Sequence, residues 1–270
     1  MNKIADDIAL FHQRIGRVNW IGLRTLYLKE VQRFVKVATQ TLLAPVVTTL
    51  LFLAVFSLAL GGNARTVGGL PYIEFLAPGL IMMAIAQNAF ANSASSVLIS
   101  KVQGSIVDVL MPPLAPGEFT LAYALAGMTR GVAVGCVVAL ALLPFAGFHI
   151  AHPWAVIYFA LAAALMLSLL GLLGGLWADK FDHMATVTNF VITPLAFLSG
   201  TFYSIERLPA LFHRIALINP FFFMIDGFRY GFIDRADGSI IVGAAALAGI
   251  DAALWALCHI LVARGYKLKS

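Results

Sequence analysis

From Pro153 to Trp177 the chain carries no charged residue. A run of that length matches the roughly 20 apolar residues that carry a helix across a bilayer core, and is longer than a strand or an ordinary buried helix needs. Five further runs meet or approach this requirement: Val37 to Leu60, Tyr72 to Ile99, Phe119 to Phe145, Thr186 to Tyr203, and Ile240 to Val262. Pro45, Pro78 and Pro194 lie inside three of them, and Arg130 and Asp251 are the charges that interrupt the third and sixth. Composition agrees: 61% of the 270 residues are hydrophobic and 11% charged, with a mean hydropathy of +0.91. A soluble domain has about a quarter of its residues charged. The chain therefore reads as an all-α polytopic membrane protein of six spans, which excludes a disordered, collagenous, coiled-coil or nucleic-acid-binding protein.

Basic residues indicate orientation, because loops retained in the cytoplasm are enriched in Lys and Arg. Seven precede residue 37, and Arg264, Lys267 and Lys269 follow Val262. An even number of spans puts both termini on the same side, and this bias makes that side the cytoplasm. Lys101 and Lys180 then fall in cytoplasmic connections, while the outer ones hold Arg65 and four arginines between Ser204 and Ser239. The expected organisation is a cytoplasmic N terminus (1–36), a membrane domain (37–262) and a cytoplasmic tail (263–270). The charged stretch before the first span, and that span's length, argue against a cleaved signal peptide.

Two segments are apolar without being spans. Between Arg17 and Lys36, Trp20, Leu23, Tyr27, Val31 and Phe34 recur every three or four positions, the pattern of an amphipathic helix lying in the membrane interface. It serves as a positive topology anchor, a mechanical brace, or both. The outer stretch 205–232 holds only 11 residues between Arg214 and Asp226 and is broken at Asn219-Pro220. Eleven residues cannot cross, so a re-entrant helical hairpin is expected.

The chain contains no Gly-x-x-x-x-Gly-Lys-Ser/Thr loop, and so no ATP site of that kind. Asp179 and Asp182 have the spacing with which membrane prenyltransferases hold magnesium diphosphate, but a second acidic cluster is missing: Asp108 and Glu118 stand ten residues apart. A membrane prenyltransferase using Asp179 and Asp182 is the alternative reading. The histidines lack ligand spacing, and Cys136 and Cys258 sit in apolar runs as packing residues. In the second span Asn88, Asn92, Ser95 and Ser96 share one helical face, either as interhelical hydrogen-bonding groups or as the wall of a wetted pathway. Gly127, Gly131 and Gly135, and Gly171 with Gly175, have the four-residue spacing of close helix packing. Arg130 and Asp251 each lie 11 residues from the cytoplasmic end of their spans, about 16 Å deep. Matched depth and the cost of an unpaired intramembrane charge make them an expected ion pair.

The stretch from Gly104 to Glu118, which contains Met111-Pro112-Pro113, and Ala126-Gly-Met-Thr-Arg-Gly131 after it resemble the cytoplasmic coupling region of type 2 ABC exporter permeases. Phe197-Leu-Ser-Gly-Thr-Phe-Tyr-Ser-Ile-Glu-Arg-Leu-Pro209, Ile218-Asn-Pro220 and Asp226-Gly-Phe-Arg229 resemble that family's pattern between its last two spans. The resemblance covers nearly the whole chain and is nearest the bacterial branch of drug and nodulation-oligosaccharide exporters. It implies a transport subunit of the inner membrane that is not itself an enzyme, paired with a second copy or a close relative. It also implies two copies of a separate cytoplasmic ATPase that carry the ATP and magnesium, with no cofactor on this chain. A coupling region (100–117) would put Gly104, Ser105, Asp108, Pro112, Pro113 and Glu118 against that ATPase. Thr48, Thr49, Asn88, Asn92, Asn189 and Thr193 would line the pathway. The outer hairpin, with Glu206, Pro209, Asn219, Pro220, Asp226 and Arg229, would form its lid.

Overall fold

The computed structural model describes residues 18–61, 66–67, 69–205 and 209–268. Nearly all of them are helical. Helix α1 (Trp20–Val35) is followed by α2 (Ala38–Gly61), and a minimal hairpin of β1 (Thr66–Val67) and β2 (Leu70–Pro71) leads into α3 (Tyr72–Val102). A short α4 (Ile106–Leu110) precedes α5 (Pro116–Leu142) and α6 (Pro153–Trp177). Then come α7 (Phe181–Val187), a π-helical turn (Thr188–Ile192) and α8 (Thr193–Leu198) without a break, followed by α9 (Ala210–Ile218), α10 (Pro220–Ile233) and α11 (Ile240–Ala263).

Among the described residues five helices, α2, α3, α5, α6 and α11, are long and apolar enough to cross a membrane, and α9 with α10 form a pair bent by 84°. The expected fifth span is displaced. Its helical stretch runs from Phe181 to Leu198 instead of Thr186 to Tyr203, because Gly200 takes a left-handed φ of 77° and turns the chain out of the helix.

Helix α3 is the axis of the bundle and packs most extensively against α6 and α5. Glycine makes these contacts close. A Cβ at Gly131 would stand 2.8 Å from the Ile85 carbonyl, one at Gly175 would stand 2.9 Å from the Ala94 carbonyl, and one at Gly171 would run into the Phe90 carbonyl. By contrast α2 and α11 are largely exposed, with Leu43, Val47, Leu51 and Leu58 on α2 uncovered. Such faces belong in lipid or against another subunit.

Candidate transport pathway and coupling site

One end of the bundle, here termed basal, gathers the start of α1, the α3–α5 connection, the end of α6 and the end of α11. Gly104, with a left-handed φ of 73°, turns the chain out of α3, and α4 is closed by Pro112-Pro113. Ile106 and Val109 point inward, while Val107, Asp108, Leu110, Met111, Pro112 and Pro113 are exposed. Ser105 is half-buried and its hydroxyl donates to the Ser100 carbonyl at 3.5 Å. Glu118, expected on the outer surface of this region, is instead buried. Its Oε1 accepts from the Asn19 amide at 2.6 Å and its Oε2 from the Ala115 amide at 2.8 Å. These bonds occupy the orphan amides at the starts of α1 and α5, and so fasten the two helices beside α4. Asn19 caps α1 through Gly22 at 2.8 Å and donates to the Pro113 carbonyl at 3.2 Å.

The other side of this end is tied by lysines. Lys101 donates to the Leu176 and Ala178 carbonyls at 2.8 and 2.7 Å, closing the C terminus of α6. Lys267 donates to Asp179 at 2.7 Å, which holds that exposed carboxyl below its ordinary pKa. Lys101 faces the second oxygen of Asp179 at 3.6 Å. Asp179 thus works as an anchor for the C-terminal segment, and Asp182 stands exposed one turn away without joining it. The pair makes no diphosphate site, and no cluster of three metal-ligating residues occurs among the described residues.

Above this base, α1 is locked onto α3 by a buried polar cluster that the periodicity did not reveal. Glu30 is 1% exposed. Its Oε2 accepts from Ser96 at 2.6 Å and from the Arg33 Nε at 3.1 Å. Arg33 in turn donates to the Asn92 carbonyl and side-chain oxygens at 2.8 and 3.0 Å, and Tyr27 meets Thr129 of α5 at 3.0 Å. Asn92, expected in the pathway wall, is therefore buried and committed to holding α1.

One turn earlier on α3, Asn88 faces a hollow. A cavity of about 480 Å³ lies between α2, α3 and α5, lined among others by Thr41, Thr48, Thr49, Gln87, Asn88 and Arg130. A second, of about 430 Å³, lies on the other flank of α3 against α7 and α8, with Gln87, Asn88, Ser95, Thr188 and Thr193 in its wall. Gln87 and Asn88 line both. Of the expected pathway residues, Thr48, Thr49, Asn88 and Thr193 come together here, and Asn189 does not. The π-turn is the cause: its Thr193 amide bonds the Thr188 carbonyl, so Thr188 and Thr193 share the face towards the hollow and Asn189 turns outward, exposed.

Arg130 and Asp251 do not pair. Arg130 points at the first cavity, where its Nη2 reaches the Asn88 oxygen at 3.3 Å and its buried Nε has no partner. Asp251 is close enough to Tyr158 of α6 to act on it by charge, and its buried Oδ1 is without a partner among the described residues. Helices α5 and α11 do touch. Sequence separation gives depth along a helix but not rotation about its axis, and the two side chains point to different faces.

At the opposite end, α9 and α10 meet at Asn219-Pro220. The Asn219 side chain caps α10 through Phe221 at 3.0 Å and donates to the Leu195 carbonyl at 2.9 Å, and Pro220 takes the first helical position. Pro209 precedes α9, while Glu206 lies outside the described residues. Asp226 accepts from the Asp237 and Gly238 amides at 2.8 and 2.9 Å, fixing the entry to α11. Arg229 is buried, stacks on Phe75 at 3.8 Å and donates to the Gly200 carbonyl at 2.7 Å. The bent pair is thereby tied to α3 and to the end of α8.

Residues 22–233 match the profile of the family described as "ABC-2 type transporter". The chain belongs to that family. It is 36% identical over 252 residues to the "Inner membrane transport permease YadH" of Escherichia coli (strain K12), covering 93% of this chain and 98% of that protein. "Nodulation protein J" of Rhizobium leguminosarum bv. trifolii is 26% identical over 223 residues, covering 79% of this chain and 81% of its own. Nodulation protein J of Sinorhizobium fredii is 22% identical over 236 residues, 85% of this chain and 87% of its own. As an ABC-2 type transporter the chain is a membrane-spanning permease subunit of an ABC exporter and not an enzyme, and the family implies a cytoplasmic ATPase partner. The prenyltransferase alternative finds no support.

Proposed function

We propose that two copies of this permease, or one copy and a close relative, form an export pathway driven by two copies of a separate cytoplasmic ATPase that binds the ATP and magnesium. The observation that carries this reading is α4. It is a five-residue helix at the basal end, with Val107, Asp108, Leu110 and Met111 uncovered, braced by the Glu118 bonds and by α1. An apolar patch with one carboxylate, on a rigid support, suits a partner groove better than water. ATP-driven closure of the ATPase would pass through α4 into α3 and α5, and α1 would move with them because Glu30 and Arg33 hold it to α3.

The basal end carries Lys101 and Lys267, the start of α1 and the end of α11, which supports placing both termini in the cytoplasm. The inner membrane named for the Escherichia coli relative is the proposed location. The hollows on both flanks of α3, lined by Thr48, Thr49, Asn88 and Thr193, are the proposed cargo pathway. The bent α9–α10 pair, dipping from the outer side without crossing, is its proposed lid.

Coexpression with candidate ATPases, affinity purification of the permease and reconstitution into vesicles test this reading. A stable complex that turns over ATP and accumulates an amphiphilic dye, each only when both chains are present, is expected. ATP-independent leakage of the dye through the permease alone would contradict it.

A further inference from the structure

The transport reading leaves the class of cargo open, and Arg130 bears on it. Of the residues lining the 480 Å³ hollow, Arg130 alone is charged. It sits at the middle of α5, about 21 Å along the helix from Pro116. Among the described residues no carboxylate answers it. Glu30 is committed to Ser96 and Arg33, Asp251 makes no contact with Arg130, and Arg33 acts on Arg130 as a like charge. Among the described residues its only hydrogen bond is the 3.3 Å contact with Asn88, and the buried Nε has none. A guanidinium at bilayer depth is costly to leave without an anion or a wet cavity, and its fork of donors fits an oxyanion in bidentate fashion.

The rest of the wall divides in two. Gln40, Thr41, Thr48, Thr49 and Gln87 supply neutral donors, and Phe52, Leu80 and Met83 supply an apolar surface. The volume lies in the range of small-molecule sites, which is roughly 300 to 1,000 Å³. We propose that this hollow binds the anionic group of an amphiphilic cargo, a phosphate, sulfate or carboxylate, with Arg130 as its counter-charge and Phe52, Leu80 and Met83 against the adjoining hydrocarbon. The proposal deepens the transport reading and rests on it for the word cargo. The binding site itself is testable without an ATPase.

The full-length chain is placed in phosphatidylcholine nanodiscs, and binding of dodecyl phosphate is measured against dodecyl maltoside, a neutral amphiphile with the same tail. Wild type is expected to prefer dodecyl phosphate. Arg130→Gln should weaken that ligand roughly ten- to a hundredfold, the range for losing hydrogen bonds to a charged group, and leave dodecyl maltoside unchanged. Arg130→Lys should recover part of the loss. Thr48→Trp, which fills the hollow and keeps the arginine, should weaken both ligands, so the site stays testable if the Arg130 variants fold poorly. Equal affinity for the two amphiphiles in wild type, or an Arg130→Gln variant that binds dodecyl phosphate normally, would overturn the site. Displacement by inorganic phosphate, or by phosphatidylglycerol in the disc, would overturn the cargo assignment in favour of a free anion or a resident lipid. Dodecyl phosphate bound through Arg130 in a chain that exports nothing would remove the transport reading and leave the site standing.

Discussion

Arg33 donates to the carbonyl and the side-chain oxygen of Asn92 at 2.8 and 3.0 Å, and so joins a helix outside the membrane spans to the central span. Glu30 completes the lock through Ser96. Helix α1 is therefore a mechanical part of the bundle, whatever its contribution to topology.

This lock can be measured. Removing the Glu30 carboxylate leaves Arg33 and Ser96 short of a partner, and a hydrogen bond to a charged group contributes about 1.5 to 3 kcal/mol. Glu30→Gln should lower the melting temperature of the purified permease. Ser96→Ala should add little on top of Glu30→Gln, because the two changes break one interaction. Strict additivity of the two shifts would place Ser96 outside the lock.

How much of this was legible depends on what a sequence pattern encodes. Five of the six apolar runs match membrane-length helices, because burial in lipid is a property of whole segments, and the short fifth run does not. Asn219-Pro220 gave the corner of the bent pair, because its chemistry is local. The buried row of α1 is Leu23, Leu26, Glu30 and Phe34, one position away from the expected Tyr27 and Val31. The signal was present: a carboxylate stands in a row of leucines at helical spacing, which demands a buried partner. A charge near the interface reads first as solvated, which hides this burial. Asn189 differs from expectation for another reason, since a π-turn has no periodicity of its own. Arg130 and Asp251 were matched by depth, and depth says nothing about rotation.

Asp251 gives a prediction opposite to that of an ion pair. A buried carboxylate with an unpartnered oxygen gains nothing from charge, so Asp251→Asn should leave the melting temperature unchanged or raise it. Exchanging the two residues, Arg130→Asp with Asp251→Arg, should destabilise without any rescue relative to the single changes. A clear loss in Asp251→Asn that the exchange repairs would restore the pair.

Glycine packing separates close approach from helix propensity. Gly171→Ala drives a Cβ into the Phe90 carbonyl and should cost about 1 to 3 kcal/mol, seen as a lower melting temperature. Gly249 on α11 has nothing within 4 Å of an added Cβ, so Gly249→Ala should be neutral or stabilising by up to about 1 kcal/mol. Equal effects at the two sites would mean that the α3–α6 contact is looser than described.

The bent pair makes a topological prediction. With Cys136 and Cys258 replaced by Ser, single cysteines at Leu211 and Asp237 should both react with an impermeant thiol reagent added outside intact cells. They lie before and after the 84° corner, and a re-entrant pair returns to the side it left. Labelling from opposite sides would make the pair a broken span and reverse the placement of the C terminus.

On the proposed coupling, a separate ATPase drives this permease through the exposed face of α4. A photo-crosslinking amino acid at Val107, on the uncovered side of α4, tests it against the same probe at Ile157, exposed on the first turns of α6 towards the opposite end of the bundle. In cells making both chains, illumination should join the permease to the ATPase from Val107 and not from Ile157. Mass spectrometry of the adduct identifies the partner. An ATPase adduct absent from Val107, with the transport complex intact, would mean that the ATPase does not couple through α4.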